Sequence, residues 1–545
     1  MTASTRLSMV GAAMLAACGE APSSGTDTAD EPTVEVSYAS DYRISLSAQT
    51  LEGQDPFAGS PQITLWVQPP GSAPTLHLVV DRTVEQLPPL EAGTVLGLLV
   101  EDGGDANAWE VDRTIAYGQV LLREAFDLGG ATPAYDVRVP VFADAGVLAR
   151  VGGDDQRIRA GLAMLPDGRT YVFGGTPVER FNGGIKPRAT RTIGRLDLAD
   201  PSSASWDVLP EVLPEVVFDN DPDPVDDKRV ALTATVFEGS DGPLILVAGG
   251  RSEHVYLDEN TAVAHIFDPA TEELVETLEM PYSRSEHVAV LMANGQVLLD
   301  GGLTNNVRYT TSAVLFDPDS RSFTEVELGD DIGGWRRAAA SLGAEGVLIC
   351  GGAQPSLFDD RADWDTTDIC VRVTLDGRVV DAAPLPEPLA GHVLTPLADG
   401  RVLCTGGMTQ MEGATAPADA VRSAWLYELS TDTWSAAGAL SSPRAGHAVV
   451  PLPTGGAVVV GGVAGLGTLH NELTGDRVDC AERFDPSSNT FATLPSCPAV
   501  GVGADPTVAT HPAFGAVVVG GLHLGATEAT STDAIGLVGF GPASP

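Results

Sequence analysis

Polar and aromatic side chains that could contact a ligand lie in the segments that follow recurring glycine pairs in this sequence. Guanidinium, amide, imidazole and aromatic groups gathered in one place suit the recognition of a glycan or a peptide. The alternative is a set of solvated loops, because the same composition is common in exposed connections between strands. The ligand-binding candidates are Arg251, His254, Asn305, Arg308, Trp364, His470 and Glu472.

Three histidines, His287, His392 and His447, recur at the same position relative to these glycine pairs. A metal site needs ligands that converge on one ion, whereas residues that repeat along a chain fall in successive structural units. We therefore expect each imidazole to form a local hydrogen bond with the backbone. The sequence predicts no cofactor and assigns no catalytic residue.

An aspartate-rich segment, FDNDPDPVDDK from Phe218 to Lys228, is a candidate for binding Ca²⁺. Calcium takes about six to eight oxygen ligands, which carboxylates can supply. The spacing is not that of an EF-hand, and an acidic loop without a metal is the alternative. The aspartates concerned are Asp219, Asp221, Asp223, Asp226 and Asp227.

The cysteines are candidates for disulfide bonds. Cys350 and Cys370 flank a predicted hairpin, and so do Cys480 and Cys497, so a cross-strand bridge is geometrically reasonable for both pairs. Cys404 would then be the free thiol. The alternative is that all five are small buried apolar residues, since free cysteine is among the most buried residue types.

A repeat that runs from about Arg159 to the C-terminus must position these groups. Each copy is an apolar run, a turn such as Pro166-Asp167-Gly168 and a second apolar run closed by two glycines, which predicts a β-hairpin. Paired glycines suit a place where the backbone needs positive φ or where another chain approaches too closely for a Cβ. In most copies an Asp-Pro turn then joins two further strands. The seven copies cover 159–175, 229–250, 284–302, 336–352, 390–407, 444–462 and 504–521.

The order of these features resembles the kelch repeat. In order, a copy has Arg-x-x-His or a partial match to it, the glycine pair, the aromatic-Asp turn and a late aromatic residue such as Trp434. Successive glycine pairs lie 50 to 75 residues apart. The resemblance implies an all-β fold in which residues 144–545 form a seven-bladed kelch-type β-propeller. The last copy has too few strands, so we expect an upstream strand near Val147–Val151 to complete it.

Two enzyme families share the kelch propeller. Copper-radical oxidases resembling galactose oxidase need two tyrosines, two histidines and a cysteine cross-linked to one tyrosine, and no Tyr-His dipeptide occurs here. The motif of that family is therefore not matched. A kelch-type sugar mutarotase stays open as an alternative, because it would need only a few polar residues in a pocket.

Residues 33–143 lack the repeat and alternate apolar and polar positions in short segments separated by turn signals. This pattern predicts a small β-sandwich that is immunoglobulin-like or transthyretin-like and precedes the propeller. The alternative is an irregular β-cap on the propeller.

Residues 1–18 have the features of a bacterial lipoprotein signal peptide. An apolar run ends in Leu15-Ala16-Ala17-Cys18, which resembles a lipobox, and the resemblance implies lipidation of Cys18 and sorting to the outer membrane of a Gram-negative cell envelope. The alternative is an ordinary secretory signal. Residues 19–32 are polar and rich in small residues, which predicts a flexible tether.

The chain carries 74 acidic and 31 basic side chains, a formal charge of −43. This charge disfavours nucleic acid and anionic headgroups as partners, so membrane contact is expected only through the lipid anchor. The sequence predicts an exported, lipid-anchored kelch protein that binds a glycan or a protein through propeller loops. A carbohydrate-active enzyme and a scaffold without a small-molecule site are the alternatives, and the oligomeric state is left open.

Overall fold

The protein is described by a computed structural model. It covers residues 157 to 538 with gaps, of which the longest are 215–228, 252–259, 356–363, 410–419 and 494–502, and before residue 157 it covers short stretches that consist almost entirely of strands. The described chain is all-β, and its one helical element is the 3₁₀ turn Gly343–Glu345. Within this part of the chain, no helix is both long enough and apolar enough to cross a membrane.

Seven four-stranded antiparallel sheets occupy the repeat region of the described chain, and we number them 1 to 7. In each of sheets 1 to 6 the four strands follow one another in sequence order from the first strand to the outer edge. Their strands are, for sheet 1, Gly161–Met164, Thr170–Phe173, Thr192–Asp197 and Ser205–Val212; for sheet 2, Thr233–Gly239, Gly242–Ala248, Val263–Asp268 and Glu273–Glu279; for sheet 3, Val288–Leu291, Val297–Asp300, Ser312–Asp317 and Ser322–Glu327.

Sheets 4 to 6 repeat this order, and sheet 7 departs from it in one strand. Its outer strand, Ala145–Arg150, comes from upstream of sheet 1 and pairs antiparallel with Ala534–Val538, as the short last copy led us to expect. The remaining strands are, for sheet 4, Ala338–Ser341, Val347–Cys350, Cys370–Val373 and Val379–Ala382; for sheet 5, Val393–Pro396, Val402–Thr405, Ser423–Glu428 and Thr433–Ala439; for sheet 6, Ala448–Pro451, Ala457–Val460, Glu482–Asp485 and Thr490–Thr493; for sheet 7, Thr507–His511, Gly515–Val519 and Ala534–Val538.

The sheets follow one another cyclically. The first strand of each sheet contacts the first strand of the next, and the first strand of sheet 7 contacts that of sheet 1. The first strands therefore surround a common axis, and the arrangement is propeller-like. The first strand is the inner edge of its sheet, and its position against the neighbouring first strands shields it from pairing with another chain.

Two-stranded ribbons extend from the glycine pairs of five sheets in the described chain. The ribbon of sheet 7 contacts those of sheets 6 and 1. The ribbons are Val178–Phe181 with Gly184–Pro187, Leu303–Thr304 with Arg308–Tyr309, Ala353–Pro355 with Trp364–Thr366, Val463–Leu469 with Glu472–Arg477, and Leu522–Leu524 with Ala529–Ser531.

The core lies between successive sheets, because alternate residues of a strand face its two neighbours. In the second strand of sheet 3, Val297 and Leu299 pack against sheet 2, whereas Leu298 packs against sheet 4. A strand buried on both faces reads as a continuous apolar run, which is the pattern that closes each sequence repeat. Edge-to-face aromatic pairs such as Phe237 with Phe316, whose ring centroids are 5.3 Å apart, add to this packing.

The glycine pairs have both of the roles that the sequence allowed. Gly406 and Gly407 have φ of +53° and +102°, values that L side chains rarely adopt. A Cβ on Gly406 would collide with the backbone carbonyl oxygen of Arg444 in the next sheet, and the amide of Gly407 donates to that same oxygen at 2.9 Å. Equivalent inter-sheet hydrogen bonds link Gly175, Gly250, Gly302, Gly352 and Gly462 to the sheets that follow them.

Two further four-stranded sheets lie in residues 33–143 of the described chain. One combines Thr33–Tyr38 and Arg43–Ser47 with parallel partners at Thr83–Val84 and Ala134–Arg138, and the other is antiparallel throughout. The strands of the second sheet are, in order, Thr75–Val79, Gln62–Gln68, Val95–Glu101 and Thr114–Leu121.

A disulfide joins Cys350 and Cys370, which face each other on adjacent strands of sheet 4. Cys480 is also disulfide-bonded, and Cys497 lies outside the described residues. Cys404 is a free cysteine and is buried, in the same apolar cluster as Cys350 and Cys370.

Replacing both Cys350 and Cys370 by alanine is expected to lower the free energy of unfolding by about 2–3 kcal/mol. The bridge closes a loop of sequence separation 20, and its loss restores chain entropy to the unfolded state. Cys404→Ala is the matched control, because it removes a buried sulfur from the same cluster without removing a crosslink, and we expect about 1 kcal/mol. Urea unfolding measures both values, and equal losses would contradict a role for the crosslink.

Candidate functional site

Seven residues, one in front of the first strand of each sheet, share a left-handed backbone conformation with φ between 50° and 63°. Five of them are not glycine, although such a conformation is uncommon for other residues and costs about 1–3 kcal/mol where it is strained. We call these positions the axial ring. In the order of the sheets they are Arg159, Ala231, Glu286, Arg336, Gly391, Gly446 and Asp505.

Backbone hydrogen bonds connect neighbouring members of the axial ring. The amide of Ala231 donates to the carbonyl of Arg159 at 2.8 Å, and the amide of Glu286 donates to Ala231 at 3.0 Å. The same bond links Gly391 to Arg336, Gly446 to Gly391 and Asp505 to Gly446. The left-handed conformation is therefore a feature of the backbone where the first strands meet at the axis, and it does not depend on which side chain is present.

The side chains of the axial ring form an ionic network across the axis. Asp505 receives two hydrogen bonds from Arg336, at 2.9 and 3.0 Å, and two from Arg159, at 3.0 and 3.2 Å. This carboxylate thereby joins sheet 7 to sheets 4 and 1. Planar guanidinium groups that bind a carboxylate through two nitrogens fix its orientation as well as its charge.

Glu286 is the second carboxylate of the network. Its Oε1 lies 3.2 Å from Nη1 of Arg159 and 3.5 Å from Nη2 of Arg251, and Oε2 accepts a hydrogen bond of 2.8 Å from the indole of Trp335. The guanidinium of Arg336 lies 5.1 Å from the Trp335 ring centroid. Positive and negative groups therefore alternate around the axis within one connected set.

A cavity of about 340 Å³ opens over this network. Its volume falls in the range of small-molecule sites, which starts at about 300 Å³. The cavity wall contains the charged side chains of the axial ring, small residues, and the imidazoles of the histidines that directly follow a ring member in the sequence. The residues that line it include Arg159, Ala231, Leu232, Glu286, His287, Arg336, Gly391, His392, Gly446, His447 and Asp505.

Both carboxylates at the cavity stay ionised at neutral pH. Burial alone would raise the pKa of Asp505, but the guanidinium groups of Arg336 and Arg159 outweigh it and lower the pKa well below its usual value. The pKa of Glu286 is lowered in the same way, by Arg159, Arg251 and Arg336 against the effect of burial. The cavity is therefore lined by charges that do not change near neutral pH.

Two of the three repeated histidines, His287 and His447, join neighbouring sheets through hydrogen bonds, whereas His392 has no hydrogen-bond partner among the described residues. Nε2 of His287 lies 2.8 Å from the hydroxyl of Thr233 in sheet 2, and Nε2 of His447 lies 2.9 Å from that of Thr405 in sheet 5. The partner atoms are side-chain hydroxyls of the preceding sheet, and His447 also has the expected kind of hydrogen bond to the backbone, at Thr405. Burial lowers the pKa of all three imidazoles, that of His392 to about 4, so they are neutral at pH 7.

The structure describes the side chains of two predicted ligand-binding residues, and one of them, Arg251, joins the ionic network. Arg251 is buried and contacts Glu286, whereas Asn305 is exposed and accepts a hydrogen bond from the backbone of Asn260 at 2.7 Å. Arg308, Trp364 and Glu472 lie in strands of the two-stranded ribbons. His254, His470, Cys18 and the calcium candidates Asp219, Asp221, Asp223, Asp226 and Asp227 are outside the described residues.

The charged residues that build the cavity were not among the sequence candidates. Arg159, Glu286, Arg336 and Asp505 occupy the same place in four copies of the repeat, where the other three copies have alanine or glycine. Aligning the copies at this column would have shown two cations and two anions at equivalent positions. In the part of the chain that the structure describes, no group of three or more His, Cys, Asp or Glu side chains is placed to hold a metal ion.

Comparisons with known proteins give no family for this chain. No protein-family model matches it, and no curated protein matches it. Among solved structures, one titled "Structure of YjhT" aligns with a TM-score of 0.44 at 16% sequence identity, over 64% of this chain and 100% of that chain.

Proposed function

We propose that the seven sheets are the blades of a kelch-type β-propeller, preceded by a small β-sandwich in residues 33–143. The cyclic contacts of the first strands and the strand Ala145–Arg150 in sheet 7 support the first part. We further propose that the chain is exported and anchored through a lipid on Cys18, in the cell envelope of a Gram-negative bacterium. The lipobox-like Leu15-Ala16-Ala17-Cys18 supports this location.

We propose that the protein binds a neutral saccharide in the axial cavity and does not transform it. The observation that carries this function is the alternation of ionised arginines and carboxylates that face one cavity of saccharide size. A sugar hydroxyl accepts a hydrogen bond from a guanidinium and donates one to a carboxylate. A pair of neighbouring hydroxyls therefore fits such a wall without breaking the ion pairs.

The ionisation of the wall favours binding over catalysis. General acid–base chemistry on a sugar works best with a group whose pKa lies near the operating pH. Asp505 and Glu286 have pKa values below their usual range, burial lowers those of His287, His392 and His447, and the arginines stay protonated. Among the described residues of the wall, the alternative, a sugar mutarotase, would have to use one of these carboxylates or neutral imidazoles as its base.

Replacing Glu286 by glutamine is expected to weaken saccharide binding about tenfold, which corresponds to about 1.4 kcal/mol. The amide keeps the shape of the side chain but removes the charge that strengthens a hydrogen bond from a hydroxyl. The measurement is isothermal titration of the full chain with glucose, galactose, mannose and N-acetylglucosamine, repeated with the variant. Urea unfolding of the variant checks that it is folded at the temperature of the titration.

Two outcomes would overturn this function. If none of the four sugars binds, or if glucuronic acid binds and the neutral sugars do not, the ligand class is wrong. If the protein interconverts the anomers of a bound sugar and Glu286→Gln abolishes that conversion, the enzymatic alternative replaces the binding function.

A further inference from the structure

Seven buried residues directly precede the members of the axial ring, one in front of each first strand. In six sheets this residue pairs antiparallel with the residue that follows the glycine pair, as Trp335 does with Ala353. The equivalent residues of the other sheets are small or aliphatic, so the backbone pairing does not require an indole at this place. The seven residues are Ile158, Val230, Ser285, Trp335, Ala390, Ala445 and Ala504, and each is at most 3% exposed.

The indole of Trp335 contacts two charged members of the axial ring. Its Nε1 donates a hydrogen bond of 2.8 Å to Oε2 of Glu286 in sheet 3, and the guanidinium of Arg336 lies over the indole, 5.1 Å from the ring centroid. Trp335 itself is fully buried, so its side chain does not reach the cavity. It therefore contacts residues of the cavity wall without touching a ligand in the cavity.

The two oxygens of Glu286 are held by different partners. Oε1 lies 3.2 Å from Nη1 of Arg159 and 3.5 Å from Nη2 of Arg251. Nη2 of Arg336 lies 3.7 Å from Oε2, which is too long for a hydrogen bond, whereas the indole N–H of Trp335 donates to this oxygen at 2.8 Å. The indole therefore fixes Oε2, and with it the rotation of the carboxylate.

The face of the same indole orients Arg336. A guanidinium is attracted to the face of a tryptophan ring, and its planar shape allows it to stack there. Arg336 uses Nη1 and Nη2 for its two hydrogen bonds to Asp505. One buried side chain thereby orients both an acceptor and a donor that line the cavity.

We propose that Trp335 is a positioning residue of the saccharide site. It holds the carboxylate of Glu286 and the guanidinium of Arg336 in the orientation in which one accepts a hydrogen bond from a sugar hydroxyl and the other donates one. The inference rests on the proposed function, since it needs a saccharide in the axial cavity. Such support affects affinity, because polar groups that are already fixed in place lose less freedom when the ligand binds.

Trp335→Phe is expected to weaken binding of the tightest sugar of the panel about fivefold, measured by isothermal titration. Phenylalanine keeps an aromatic ring beside Arg336 and removes the N–H donor to Glu286. In the Glu286→Ala background the same change should alter the affinity by less than about twofold, because the carboxylate that the indole holds is already absent. Alanine is the natural residue at this ring position in sheet 2, as Ala231, so the fold accommodates it. Urea unfolding checks that each variant is folded at the temperature of the titration.

The pH dependence of binding is a second readout, which a purely structural role of the indole would not change. The pKa of Glu286 is lowered in the native protein, and a hydrogen bond to an ionised carboxylate lowers its pKa. Loss of the indole donor therefore raises this pKa, and the affinity of Trp335→Phe should begin to fall at a higher pH than that of the native protein. The charged groups that face this carboxylate, Arg159, Arg251, Arg336 and Asp505, are the same in both proteins.

Trp425→Phe is the matched control. Its indole also donates a hydrogen bond to a carboxylate, Oε1 of Glu387 at 3.1 Å, but Trp425 lies in the third strand of sheet 5 rather than beside the axial ring. We expect this variant to lose stability and to keep the affinity of the native protein for the sugar.

The results separate the inference from the proposed function. If the sugar binds and Glu286→Gln weakens it, but Trp335→Phe either leaves the affinity unchanged or weakens it equally in both backgrounds, the role of Trp335 is overturned and the binding function stands. If no neutral sugar binds the native protein, both are overturned.

Discussion

Replacing Asp505 by asparagine is expected to lower the free energy of unfolding by about 3–4 kcal/mol. The change removes the charge that both Arg159 and Arg336 contact at about 3 Å, and it leaves two largely buried guanidinium groups with one carboxylate fewer. Breaking a buried ion pair by removing one partner costs about 3–5 kcal/mol, and we take the lower part of that range because the Asp505 side chain remains 16% exposed to the cavity. Equilibrium urea unfolding measures the loss.

Asp399→Asn is the control for this variant. Asp399 forms an ion pair with Arg401 at 2.6 Å, but both side chains are partly exposed, and such surface pairs contribute less than about 1 kcal/mol. Equal losses for the two variants would show that the axial network does not hold the sheets together.

The difference in the free energy of unfolding between the native protein and Asp505→Asn should be smaller in acid than at neutral pH. The pKa of Asp505 is lower in the folded protein than its usual value of about 4. The stabilisation that the ionised carboxylate provides is therefore fully present above about pH 4 and is lost as the pH falls below it. We expect the difference to stay constant between pH 8 and 5 and to shrink by about 1.4 kcal/mol for each pH unit below 4. A difference that grew in acid would contradict the assignment.

The repeated elements of the fold were predictable because each has a local cause. An apolar run bounded by a turn and a glycine pair has few alternatives to a hairpin buried on both faces, and the structure has such a hairpin in each of sheets 1 to 6. The glycine pair itself was predictable as a place of positive φ or close approach. Gly406 meets both conditions, because the carbonyl oxygen of Arg444 lies where its Cβ would be.

The site was not predictable in the same way, because its members are far apart in the sequence. Arg159 and Asp505 are 346 residues apart and meet only when the first and last sheets adjoin. The predicted ligand-binding residues lie in the loops after the glycine pairs, where polar groups are dense, whereas the charged residues of the axial ring precede four of the seven first strands. Of the two loop candidates whose side chains the structure describes, Arg251 reaches the network and Asn305 does not.

His392 illustrates a second limit of prediction from the sequence. The repeat predicted one local hydrogen bond with the backbone for each of the three histidines, and it gave no reason to separate His392 from His287 and His447. The difference comes from a residue in another copy, since Cys350 stands where a hydroxyl or carboxylate would be needed to pair with the ring. Asp300 occupies that place in sheet 3 and pairs with Arg337 at 2.9 Å.

Replacing Gly406 by alanine is expected to lower the free energy of unfolding by about 4 kcal/mol or more. The first part of the loss is the left-handed conformation, with φ of +53°, which costs an L residue about 1–2 kcal/mol. The second part is steric. The added Cβ would collide with the carbonyl oxygen of Arg444 and would lie 2.8 Å from Cε1 of His447. Because that carbonyl also accepts the hydrogen bond from Gly407, the next sheet cannot move away without breaking the contact between sheets 5 and 6.

Gly400→Ala is the control that separates the two parts of this loss. Gly400 lies in the same sheet as Gly406. Gly400 also has positive φ, at +88°, but nothing lies within 4 Å of the place where its Cβ would be. We therefore expect only the conformational cost of about 1–2 kcal/mol at this position. Urea unfolding of both variants gives the difference, which measures how closely neighbouring sheets approach at the glycine pairs. If Gly406→Ala were no less stable than Gly400→Ala, the close approach of sheet 6 to the glycine pair of sheet 5 would be wrong.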